Sequence, residues 1–252
     1  MQESKGLYSD SKMQDQHEGA IPPAEFNPDI ELEPWQREAV GLLRAIRLVQ
    51  KKADSEMHGF DGGDVLAIHG YVLNDPFNPH FSGRLRKVIV KIGSTVRGEY
   101  REAKFIPVHP KDLPDMFENF STQLKNKTDL INGSTPVSEV LDTSAWSHFE
   151  LIKMHPFIDG NGRTARLLCD YIFKKAGLPY LVDWGSKDDE YTDVVDKTYG
   201  DENPDLFKTF LARKLFERTF EVSALNPGLT KLMTSIRNDT EDYLNSLSQN
   251  VS

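Results

Sequence analysis

Thiol chemistry is almost missing from this chain: Cys169 is the single cysteine in 252 residues. One cysteine excludes an intrachain disulfide framework. Its place in an apolar helical stretch reads as a small buried hydrophobe rather than a nucleophile. Long hydrophobic runs are missing too. No stretch of about 18 apolar residues occurs, so no membrane-spanning helix is expected. Positive charge is in deficit, with 30 Lys and Arg against 39 Asp and Glu and a net charge of -9. No basic field is therefore available to displace counterions from a nucleic acid, although a local basic pocket for a phosphate ligand survives that exclusion. The polar start, Met1-Gln2-Glu3-Ser4-Lys5, lacks the apolar run of a signal peptide. A cytoplasmic protein is expected, in which the sequons at Asn119, Asn126, Asn132 and Asn238 carry no meaning. The length suits one domain with appendages, large enough to bury a sizeable core.

The chain divides into an N-terminal segment (1–33), a core (34–218) and a C-terminal helix (219–252). Pro22, Pro23 and Pro28 limit regular structure in the first part, leaving room for a short helix around Asp10 to His17. Helical periodicity starts at Pro34, with Trp35, Ala39, Leu42, Leu43 and Ile46 on one face. Val65, Leu66, Ile68, Val72 and Leu73 form a second amphipathic helix after Gly62-Gly63-Asp64. Val88 to Ile92 is the clearest β-like run; Gly93 to Gly98 reads as a turn, and Tyr100 to Ile106 returns as a second strand. Further helical patterns run through Leu113 to Leu124, Val137 to Ile152, Arg163 to Lys175, Leu206 to Phe216 and Leu229 to Leu247. The fold class is mainly α with one hairpin, which must pack on something or serve something, since a lone hairpin is marginal.

The chemistry concentrates between His155 and Arg166, in His-Pro-Phe-Ile-Asp-Gly-Asn-Gly-Arg-Thr-Ala-Arg. Gly160 and Gly162 let backbone N–H groups approach an anion, and the helix that follows turns its positive end to the same place. Arg163 and Arg166 share a helix face and can clamp different phosphates. Asp159 is a lone carboxylate, which suits Mg²⁺ held by one protein ligand plus phosphate oxygens. Asn161 can hydrogen-bond a phosphate without adding charge. His155 can take a proton from an incoming hydroxyl. Taken singly, Gly-Asn-Gly is a turn, His-Pro a helix stop and the arginines surface charges. Together they meet the separate requirements of phosphoryl or nucleotidyl transfer.

This stretch resembles the H-P-F-x-[DE]-G-N-G-R-x-x-R signature of Fic domain proteins of the Fic/Doc family, with every defining position matched. Ala145-x-x-His148 and Asp64 to His69 are similar to helices of that family, and Val88 to Pro107 occupies the place of its flap hairpin, so the likeness spans about residues 35–218. The resemblance implies a Fic-type helical bundle with a β-hairpin flap. It implies a protein adenylyltransferase, moving AMP from ATP to a Ser, Thr or Tyr hydroxyl of a target protein. His155 would be the general base and Asp159 the Mg²⁺ ligand. Gly160, Asn161, Gly162 and Arg163 would hold the phosphates, and Arg166 the γ-phosphate. Family members that act as kinases carry lysine at the position of Gly160, so glycine favours AMP transfer. Ile92, Gly93, Lys104, Phe105, Ile106 and Pro107 are the expected target-binding flap residues. The implied partners are ATP and a hydroxyl-bearing target protein, with a homodimer left open.

Many members of the family are held off by a segment reading [ST]-x-x-x-E-[GN], whose glutamate pairs with the second arginine. Gln14-Asp15-Gln16-His17-Glu18-Gly19 matches at Glu18-Gly19 and departs at Gln14. The resemblance thus implies an ion pair between Glu18 and Arg166 that blocks the γ-phosphate site. Removal of AMP from a modified protein is an alternative on the same site. Transfer of UMP, phosphocholine or phosphate, and a non-catalytic binding module, are the others; the intact motif speaks against the module.

Overall fold

The computed structural model describes residues 32–55, 59–73, 80–96, 99–102, 106–181, 189–201 and 203–249. Gln14, Glu18, Lys104 and Phe105, together with the expected helix at Asp10 to His17, lie outside the described residues. Among the described residues, eight α-helices carry the fold: α1 (Pro34–Ala53), α2 (Gly62–Val72), α3 (Leu113–Leu130), α4 (Val137–Met154), α5 (Asn161–Lys175), α6 (Asp189–Gly200), α7 (Pro204–Leu225) and α8 (Thr230–Gln249). Two short strands, β1 (Gly93–Val96) and β2 (Glu99–Glu102), pair antiparallel with Val96 opposite Glu99.

Capping chemistry sets the helix starts. At α1, Glu33 and Gln36 form a reciprocal capping box ahead of Pro34, a first-turn position where proline loses no hydrogen bond. At α2, the Asp61 carboxylate accepts from the Asp64 N–H at 3.2 Å. Lys52 then reaches from α1 to Asp64 at 2.6 Å and ties the two helices together. Asn203 caps α7, accepting from the Asp205 N–H at 3.1 Å ahead of Pro204.

α4 and α5 lie at the centre. Leu141, Leu151, Leu168, Ile172 and Phe173 are fully buried, so these two helices are covered on most sides, as core helices require. α1 and α2 pack on one flank of α5, α3 bridges α2 and α4, and α7 covers α4 from the other side with α6 and α8 against it. Tyr243 on α8 donates to the Asp142 carboxylate of α4 at 2.7 Å. α7 runs from Pro204 to Leu225 and so continues across residue 218.

Two expectations are corrected. Val88 to Ile92 is not a strand; the pairing lies farther along, in Gly93–Val96, where the turn residues point to a bend. Arg86 is instead bonded to the motif loop through its N–H to the Pro156 carbonyl at 2.8 Å, and its guanidinium takes the Val88 carbonyl that a strand ladder would need. The buried stripe of α1 is Gly41, Ala45 and Val49 rather than the face of Trp35, Ala39, Leu42, Leu43 and Ile46, of which Trp35, Ala39 and Leu43 are exposed. Small residues there allow close helix approach, and Leu42 and Ile46 only flank the contact.

Thr128 is a buried polar tie between α3 and the start of α2. Its Oγ1 accepts from the Phe60 N–H at 2.9 Å and donates to the Leu124 carbonyl at 2.9 Å. Thr128→Val keeps the volume but orphans the Phe60 N–H, and should lower the urea unfolding free energy by about 1–3 kcal/mol. An unchanged unfolding midpoint would show that this bond contributes nothing.

Candidate active site

The α4–α5 loop reverses the chain within a few residues, and two left-handed positions make that turn. His155, the C-cap of α4, has φ 49° and ψ 60°, and Gly160, the N-cap of α5, has φ 78°. His155 is the single non-glycine residue with positive φ among the described residues, a conformation retained at some energetic cost. Gly160 needs glycine twice over. Its φ disfavours a Cβ, and a Cβ would lie 3.2 Å from Val72 Cγ1 and 3.3 Å from His69 Cδ2. Gly162 is different: it sits within α5 with ordinary helical φ, and a Cβ there would make only ordinary contacts, the nearest 3.4 Å from the Arg166 guanidinium.

Asn161 departs from the role read for its side chain. The amide is 3% exposed, accepts from the Phe157 N–H at 3.0 Å and donates to the Phe157 carbonyl at 2.9 Å. It therefore braces the loop, and what it can offer a ligand is its main-chain N–H. Among the described residues no side chain caps α5, so the first-turn N–H groups of Asn161, Gly162 and Arg163 form a positive helix end.

A cleft of about 350 Å³ opens over this helix end, lined by Lys91, Ile92, Gly93, His155, Ile158, Asp159, Gly160, Asn161, Gly162, Arg163 and Arg166. The motif's histidine, carboxylate and two arginines thus meet in one cavity. Of the expected hairpin residues, Ile92 and Gly93 line it, whereas Ile106, 93% exposed, and Pro107 do not. A larger cavity of about 540 Å³ lies between α3, α4 and α7, away from all of these groups.

Charge in the cleft is already arranged. Arg163 reaches the Asp159 carboxylate at 3.2 Å and also pairs with Glu38 of α1. Glu38 and Asp159 are mostly exposed, and exposed ion pairs contribute about 0–1 kcal/mol, so an incoming phosphate can replace them on Arg163. Arg166 packs its guanidinium 4.8 Å over the Tyr191 ring of α6. The Tyr191 hydroxyl meets His148 Nε2 at 2.9 Å, and the His148 ring stacks on Phe207 at 4.0 Å. Arg166 is thereby backed by a buried polar chain running from α5 through α6 to α4.

His155 is held neutral: burial pulls its pKa down to about 4, with the Arg86 charge helping and the Ile152 carbonyl and Asp159 opposing. Its Nδ1 is enclosed, leaving Nε2 to serve the cleft. His69, on α2, is fully buried and stacks on Phe157 at 3.7 Å. The Gly83 N–H donates to His69 Nδ1 at 3.0 Å, so Nε2 carries the proton and donates to the Asp159 carbonyl at 2.9 Å.

The sequence alone does not mark His69, Arg86, Tyr191, Lys91 or Glu38 as parts of this site. A buried histidine in the apolar run of α2 is the one signal available; the others stand at positions whose meaning depends on tertiary contact. Tyr199, near the end of α6, is buried, stacks on Phe149 at 4.7 Å and donates to the Phe149 carbonyl at 3.1 Å. It docks α6 on α4.

Comparison with protein families matches residues 59–173 to the Fic/DOC family. Among curated proteins, the chain is 30% identical over 185 residues to the protein adenylyltransferase Fic of Nematostella vectensis, covering 73% of this chain and 39% of that one. It is 33% identical over 147 residues to the protein adenylyltransferase fic-1 of Caenorhabditis elegans, covering 58% and 25%. The chain therefore spans well under half the length of these relatives. Among solved structures, a Fic domain-containing signaling protein from Bacteroides thetaiotaomicron superposes with a TM-score of 0.53 at 15% identity, over 85% of this chain and 73% of that one. The N-terminal Fic domain of a VirB-translocated Bep effector protein from Bartonella quintana, with bound ADP, gives 0.50 at 20% identity, over 69% and 80%. At these identities the structural likeness is one of fold.

The His69 environment has a measurable consequence. Its pKa is lowered to about 4, chiefly by burial, from an ordinary 6.5. The unfolded chain therefore binds a proton that the native state refuses, and stability is lost as pH falls from about 6.5 toward 4. Between pH 7 and pH 5 this one group should cost about 2 kcal/mol. His69→Gln, uncharged throughout, should remove that share of the acid slope in urea unfolding. An identical slope in the variant would place the titration elsewhere.

Proposed function

The chain belongs to the Fic/DOC family through residues 59–173, and from that premise we propose that it is a protein adenylyltransferase moving AMP from ATP to a Ser, Thr or Tyr hydroxyl of a target protein. The observation that carries this reading is the convergence of a neutral imidazole, a positive helix end and two arginines on one cleft. ATP binding is supported by the ADP bound in the Bartonella quintana Fic domain of the same fold.

On this reading the N–H groups at the start of α5 receive the α-phosphate and, with Arg163, stabilise the charge that develops there. Arg166, steadied by Tyr191, holds the γ-phosphate. His155 Nε2 accepts the proton of the target hydroxyl as its oxygen bonds to the α-phosphorus, and the bond from that phosphorus to the bridging oxygen breaks to release pyrophosphate. Among the described residues no group of three or more His, Cys, Asp or Glu could cage a metal. A single outward carboxylate, that of Asp159, fits Mg²⁺ completed by phosphate oxygens. When bound there, Mg²⁺ would neutralise phosphate charge. The β1–β2 hairpin, with Ile92 and Gly93 at the cleft, would align the target segment by strand addition. Glu18 would restrain the enzyme by pairing with Arg166 in place of the γ-phosphate.

Incubation with ATP labelled at the α- or the γ-phosphate tests the reading. Label should transfer from the α position only, His155→Ala should abolish it, and Glu18→Gly should raise self-modification sharply. Transfer from the γ position would identify a kinase, and none in any variant would sink the proposal. Unchanged self-modification in Glu18→Gly would remove the restraint alone. Because His155 stays unprotonated down to about pH 4, kcat/KM should hold as pH falls through 6.5 and drop only near that lower value. A fall centred on 6.5 would mean that the imidazole is solvated as in a free peptide.

A further inference from the structure

Arg86 is 3% exposed. A guanidinium removed from water costs several kcal/mol unless its donors are met. Among the described residues all its partners are main-chain carbonyls. Nε donates to the His155 carbonyl at 2.7 Å, and one terminal nitrogen to the Val88 carbonyl at 2.9 Å. The other donates to the Val108 carbonyl, with a longer contact to the Met154 carbonyl at 3.5 Å. The Arg86 N–H itself donates to the Pro156 carbonyl at 2.8 Å.

These carbonyls come from three stretches of chain: the end of α4 with the motif loop, the approach to β1, and the path leaving β2. The first group lies at the negative end of α4, where the last carbonyls have no helical partner and a cation is stabilised. The other two stand five residues before β1 and six residues after β2 in the chain. A planar fork with five donors can serve carbonyls in these different directions; an ammonium is a point donor on a flexible stem. The nucleotide-facing groups are held independently, by the Asn161 brace on Phe157 and the His69 bond to Asp159.

We propose that Arg86 is a positioning residue for the transfer reaction: it fixes the main chain of His155 to the segments that precede β1 and follow β2, so that the proton acceptor and a hairpin-bound target hydroxyl keep a set spacing. Arg86 touches no substrate. The proposal rests on the AMP-transfer reading, and it separates two halves of the site. Hydroxyl positioning depends on Arg86, while nucleotide binding depends on the α5 end.

The test compares the full chain with Arg86→Lys in three measurements: label transfer from α-labelled ATP, binding of AMPPNP with Mg²⁺ by calorimetry, and amide hydrogen exchange. In Arg86→Lys, kcat should fall roughly 100-fold, the scale of an ångström-sized misplacement, while the AMPPNP Kd stays within about twofold. Exchange should accelerate in the hairpin and in residues 154–157 together, with α7 unchanged. An unaltered kcat overturns the proposal. So does a loss of AMPPNP binding matching the loss of kcat, or acceleration that extends to α7, because Arg86 would then serve overall stability. If neither the wild-type chain nor Glu18→Gly transfers label, the AMP-transfer reading falls and hydrogen exchange decides alone. Joint acceleration of the two segments keeps Arg86 as the clamp between them, and its absence removes it.

Discussion

Every peptide group buried by a chain reversal inside a helical core must find a partner, because water is not there to serve it. Residues 155–160 make such a reversal between α4 and α5, and the surrounding structure is arranged around their needs. Asn161 supplies Phe157 with both a donor and an acceptor, replacing the two hydrogen bonds a regular element would have given it. His69 meets the carbonyl of Asp159, and Arg86 meets those of Met154, His155 and Pro156. α2 and the stretch before β1 therefore lie where the loop's carbonyls require a donor. Phe157, with no exposed surface, stacks on His69 and anchors the loop through apolar contact as well.

Two helix ends of opposite sign meet at this loop. The C-terminus of α4 carries partial negative charge and the N-terminus of α5 partial positive charge. Arg86, buried among the carbonyls at the end of α4, offsets the negative end from behind. Arg163 and Arg166 project from α5 into the cleft and add to the positive one. An acidic protein thus keeps a local cationic cavity, and net charge says little about it.

The core and the motif are legible in the sequence for different reasons. Leu167, Leu168, Tyr171 and Ile172 announce the buried face of α5 through spacing alone, and the structure buries all four. The motif is legible because its residues are adjacent in the chain. What stays hidden depends on contacts between distant segments. Arg86 sits between Leu85 and Lys87 with no pattern to mark it, and its role appears only when three stretches of chain come together. Tyr191 lies on α6, a helix whose apolar spacing is short and interrupted by Asp193 and Asp196. Asn161 reads as a ligand group in the sequence, because an asparagine between two glycines fits a phosphate loop as well as it fits a brace. Trp35 misleads through its size: Gly41 and Ala45 define the true face of α1 by being small enough for close approach, which a hydrophobic pattern does not reward.

The lowered pKa of His155 bears on the order of events in the reaction proposed for this site. An imidazole is a weak base beside an alkoxide, so it cannot remove the hydroxyl proton before bonding to phosphorus begins. Phosphoryl transfers pass through loose transition states in which the nucleophile contributes little bond early on. A hydroxyl oxygen becomes strongly acidic only as its bond to phosphorus forms, and from that point a weak base suffices. The burial and neighbouring positive charge that lower the pKa of His155 also keep it unprotonated at neutral pH. On the AMP-transfer reading, placement of Nε2 therefore matters more than basicity. That requirement falls on the strained backbone of His155 and on the contacts that hold it.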